Sequence, residues 1–118
     1  MTPEQAVECL QVELAHLWMV RTFLKHAEEI QDDEEMLDVP RTLFDCIRAT
    51  EPAALANDTK EFLHRTRSKL SKLRKAAEYF EEHYRDVTDH TNWQMAYASL
   101  NGSVRRIEEI LGEVAGER

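Results

Sequence analysis

From Thr59 to Val87 the chain repeats its inward-type positions at alternating steps of four and three residues: Thr59, Leu63, Thr66, Leu70, Leu73, Ala77, Phe80, Tyr84 and Val87. Such steps average about 3.5 residues, close to the roughly 3.6 of a helical turn, so the stripe keeps to one side of a helix. A half-buried strand would alternate at every second residue instead. A helix cannot bury such a stripe by itself, so this segment calls for other helices around it.

Three more amphipathic segments supply them. The first begins at Pro3, with Thr2 as N-cap and Glu4 and Gln5 in its first turn, and should fade near Ile30 to Asp32. Its apolar face collects Ala6, Cys9, Leu10, Leu14, Leu17, Val20, Phe23, Leu24 and Ala27. The second runs from Glu34 to Ala49 on Met36, Pro40, Leu43 and Ile47, with Phe44 alongside. Pro40 predicts a kink, or a restart capped by Asp38, and Pro52 predicts a break. Asn57 or Asp58 should cap the Thr59 helix. The fourth starts between Thr88 and Thr91, where Thr91 and Gln94 have capping-box spacing. It carries Trp93, Tyr97, Leu100, Val104, Ile107 and Leu111, edged by Ala96 and Val114, and Gly112 and Gly116 loosen its tail. With only 3 Gly and 3 Pro among 118 residues, the chain reads as all-α. Short connections between four such helices predict one domain over 1–118, an up-down-up-down antiparallel four-helix bundle.

Glu13 and His16 interrupt the first helix where aliphatic residues are the norm. Their E-x-x-H spacing is that of di-iron carboxylate bundles. Glu61 and His64 repeat the spacing but point away from the Leu63–Phe80 seam, so they should face water. A dinuclear centre needs inward carboxylates on the other helices, and their stripes offer only Thr59, Thr66, Tyr84, Tyr97 and Ser103. The first expectation is therefore a buried polar network. Glu13 should hydrogen-bond to at least one of His16, Tyr97, Asn101 and Arg21, since an isolated buried carboxylate is costly. A metal held by Glu13, His16 and a third ligand is an alternative, as is an interhelical pocket near His16, Tyr97 and Asn101 for a small molecule or a substrate.

Val12, Met19 and Ile30 on one flank and Trp18 on the other widen the apolar arc of the first helix to about 250°, beyond the ≳100° that a bundle helix uses. Surplus of this kind marks a second contact, and a homodimer built on this helix is the expectation. Charge is segregated as well. Residues 28–38 hold seven acids and no base, while 60–75 hold seven bases and one acid. The net charge of -8, and a basic ridge without interleaved aromatic residues, argue against nucleic-acid binding. Cys9 and Cys46 have no metal-type spacing and read as two small core thiols. MTPEQAVECL has no basic segment leading into an apolar run, and no stretch has the length of a membrane span, so a soluble cytoplasmic protein is expected. The function expected from these features is non-enzymatic, exercised through protein–protein contact, with no cofactor required.

Overall fold

The computed structural model describes residues 1–115. Four helices, α1 (Pro3–His26), α2 (Glu34–Leu55), α3 (Thr59–Val87) and α4 (Thr91–Ala115), form an antiparallel up-down-up-down bundle of 44 × 23 × 19 Å. Each helix packs on its two sequence or ring neighbours, α1 closing the ring against α4, with a thinner diagonal contact from α1 to α3. The Thr59–Val87 stripe lies inward, with Leu63, Thr66, Leu73, Ala77, Phe80 and Tyr84 buried. Phe62 and Ala76 join it in the core.

Local chemistry sets most of the helix ends. At the start of α1 the Thr2 hydroxyl accepts from the Gln5 amide (3.1 Å), and the Gln5 side-chain oxygen accepts from the Thr2 amide (2.9 Å). This reciprocal pair satisfies two otherwise orphaned donors. Asp33 caps α2 through the Met36 amide, and Asp58 caps α3 through the Glu61 amide. Asn57 takes a left-handed φ of 51° between those helices, a conformation that asparagine tolerates better than most residues.

Three helix boundaries differ from expectation, and α4 starts within the expected Thr88–Thr91 range but with a different cap. α1 stops at His26, about one turn early, and Glu28–Ile30 form a 3-10 turn. Acids are unfavourable at a helix C-terminus, and leaving the helix lets Ile30 fold into the core. α2 does not restart at Asp38: Asp33 caps it and it passes through Pro40, whose ring is buried. It also passes through Pro52 to Leu55, where burial of Ala53 holds the extra turns in place. At the start of α4, Thr91 is the first helical residue rather than the cap. The His90 ring nitrogen Nδ1 accepts from the Asn92 amide (3.0 Å), and the Gln94 side chain donates to the Asp89 carbonyl. Gly112 lies within α4, and Gly116 falls outside the described residues.

One continuous core runs the length of the bundle. Cys46 belongs to it, and burial pushes its thiol pKa up, with Lys69 and Lys72 pulling the other way. Cys9 does not belong: it is exposed, so only one of the two thiols is a core residue. Among the described residues no helix is long and apolar enough to cross a membrane.

Candidate functional site

The inward stripe of α1 is Ala6, Leu10, Glu13, Leu17, Val20, Leu24 and Ala27, all buried, again at steps of four and three. Glu13 thus occupies a regular core position. Its carboxylate oxygen Oε1 accepts from the Ser103 hydroxyl (3.0 Å) and forms an ion pair with Arg106, whose Nε stands 2.9 Å away, both partners on α4. Ser103 is fully buried, while the Arg106 side chain is half exposed. Arg106 lies back along α4 over Gly102, where an added Cβ would come within 3.2 Å of its guanidinium. The glycine therefore leaves room for the arginine to reach across to α1.

The four expected partners of Glu13 lie elsewhere. His16 is exposed on the outside of α1. Tyr97 stacks on Tyr84, 5.5 Å between ring centroids, and burial followed by the nearby Glu81 carboxylate raises its phenol pKa. Asn101 is half-buried and takes no part in the bond network around Glu13. Arg21 lies over the rings of Trp18 and Phe44 on the α2 side. The axial offset between α1 and α4 decides this. Phe23 packs edge-on against Trp93 at 5.6 Å, and an antiparallel helix pair anchored there puts residue 13 opposite residue 103. Ser103 was visible in sequence as an inward polar residue, but periodicity within a helix carries no information on the offset between helices.

Glu13 is buried and His16 exposed, so the two do not form the inward pair that the E-x-x-H alternative required. Among the described residues no group of three His, Cys, Asp or Glu side chains could hold one. Glu61 and His64 do face outward, Glu61 pairing with Arg65 at 2.7 Å.

The wide apolar arc of α1 resolves into two separate stripes. Outside the core stripe lies a second: Cys9, Val12, His16, Met19 and Phe23, at steps of three, four, three and four. Phe23 is half-buried at the α4 edge, and the others are exposed, Val12 at 56% and Met19 at 66%. His16 lies one heptad from both Cys9 and Phe23, and all three belong to this outer stripe, not to the core. Met19 shares a shallow groove with Met95 of α4, itself exposed at 59%. Two of the residues expected on this surface are not on it. Ile30, the last residue of the 3-10 turn, is fully buried, and Trp18 packs on Phe44 of α2, 6.0 Å between centroids.

No family model, curated protein or solved structure matches this chain.

Charge is segregated at the ends as well. The two turns at one end bring Glu29 and Glu35 against α4 and α3, where they accept from Trp93 Nε1 (3.0 Å) and the Tyr79 hydroxyl (3.2 Å). Arg41 is the main base there, held by Glu34 and Asp38.

Proposed function

We propose that the protein is a non-enzymatic helical bundle that works through protein–protein contact, and that its partner on α1 is a second copy of itself. The carrying observation is the outer stripe of α1, a four-three repeat like those that face partner helices, left without one. Its spacing favours another helix as occupant over an extended chain. The charges on α1 favour an antiparallel copy. Glu4 and Glu8 precede the stripe centre, and Lys25 and His26 follow it. Two α1 helices crossing near His16 in opposite directions set the acids of one over the bases of the other. A parallel pair stacks like charge on like, and also aligns the helix dipoles unfavourably. In the antiparallel arrangement Val12 lies near Met19 of the other copy, and Cys9 near its Phe23, an isologous contact.

Sedimentation equilibrium at about 50 µM chain tests the reading, a concentration that populates a micromolar dimer. The expected mass is twice the 13.8 kDa of the chain. Val12→Asp with Met19→Asp, both at exposed positions, should return the monomer with helix content unchanged. A monomeric wild-type chain at this concentration removes the proposal.

A further inference from the structure

The seam between α1 and α2 carries two arginines in matching roles with unequal partners. Trp18 and Phe44 pack together across the seam, and the guanidinium carbons of Arg21 and Arg48 both lie over these rings. Arg21 stands 4.5 Å from the Trp18 centroid and 5.0 Å from that of Phe44. Arg48 stands 5.3 and 5.0 Å from them. A guanidinium held over an aromatic face keeps N–H donors available to an anion. Glu51 fills that role for Arg48, both carboxylate oxygens bonding to Nη1 at 2.7 and 2.8 Å. Arg21 has no such carboxylate among the described residues.

A cleft of ≈ 630 Å³ opens beside Arg21, within the roughly 300–1,000 Å³ of small-molecule sites. Leu37, Pro40 and Phe44 give it an apolar wall, and Lys25, one helical turn beyond Arg21, adds a second cation without an acidic partner. Arg41 also reaches the cleft, but Glu34 and Asp38 already bind it. Asp45 stands on the same wall. Among the lining side chains Arg21 and Lys25 are thus two cations without partners against the carboxylate of Asp45, while Arg41 with Glu34 and Asp38 carries one net negative charge whose acids lie outside the lining, in a chain whose net charge is -8.

From this geometry we infer that the cleft binds a small monoanion consisting of a carboxylate on a flat apolar body. The carboxylate takes on Arg21 the place that Glu51 takes on Arg48. The apolar body lies along Leu37, Pro40 and Phe44. Asp45 sets the preference for one negative charge over two.

Calorimetric titration of the whole protein with 2-naphthoate tests the site, with 2-naphthamide, acetate and phenyl phosphate as comparison probes. 2-Naphthoate is expected to bind, and each of the other three to bind at least about ten-fold more weakly, since the site needs charge, body and a single anion together. Arg21→Gln should weaken 2-naphthoate by about ten-fold. Asp45→Asn should tighten it, a gain that a misfolded variant cannot mimic. Equal binding of the amide, stronger binding of the phosphate, no effect of either substitution, or no heat up to millimolar 2-naphthoate would each overturn the inference. The α1 outer stripe plays no part in this site, so the result is independent of self-association.

Discussion

Glu13 sits at a heptad position that favours an aliphatic side chain, and it is buried there with a serine and an arginine. An exposed ion pair contributes little, and Arg106 is half exposed, so the buried Ser103 hydroxyl is the partner that depends most on the carboxylate. Glu13→Ala leaves that hydroxyl without an acceptor and should cost about 1–3 kcal/mol in urea unfolding. Glu13→Leu combined with Ser103→Ala removes both polar groups and should recover most of the loss, because apolar replacements of buried polar pairs are often neutral or better. A double variant as unstable as Glu13→Ala would show that the carboxylate contributes more than satisfaction of its partner. The burial of Glu13 was legible from the wheel of α1. Its partners were not, because they depend on where Trp93 meets Phe23.

Helices form here largely through their own residues, and α2 is the element where tertiary contacts override local preference. Two prolines sit inside it, each removing a backbone donor. Pro40 contributes its ring to the core. Pro52 is exposed, so its ring offers the core little while the Arg48 carbonyl loses its helical donor. Pro52→Ala should therefore raise stability by about 2 kcal/mol, the helix penalty less the entropy that proline removes from the unfolded chain. The urea midpoint measures it, and a lower midpoint would mean that Pro52 stabilises the turn into Asn57. Caps made by a side chain on a nearby amide, at Thr2 and Asp58, were legible in sequence. The end of α1 was not, since burying Ile30 decided it.

Across the whole molecule, the antiparallel topology gathers the acids of 28–38 with Glu78, Glu81, Glu82 and Asp86 at one end, opposed mainly by Lys25, Arg41 and Arg85. Self-repulsion within this end is screened by salt, and so are exposed pairs such as Arg74–Glu108 at 2.6 Å. With -8 net charge the repulsion should dominate. Raising NaCl from about 20 to 500 mM shrinks the screening length from roughly 20 to 4 Å and should raise the melting temperature. A fall would mean that the surface pairs outweigh the acidic end.

Spacing along one chain was enough for four helices, the inward stripe of α3, the bundle and the acidic end. Packing between helices settled that the broad apolar arc of α1 is two stripes, that Glu13 meets Ser103 and Arg106, and that Arg21 stands over aromatic rings with no carboxylate on it among the described residues. Those outcomes depend on the axial offset and rotation of neighbouring helices, which are set by contacts between residues far apart in sequence, such as Phe23 with Trp93 and Trp18 with Phe44.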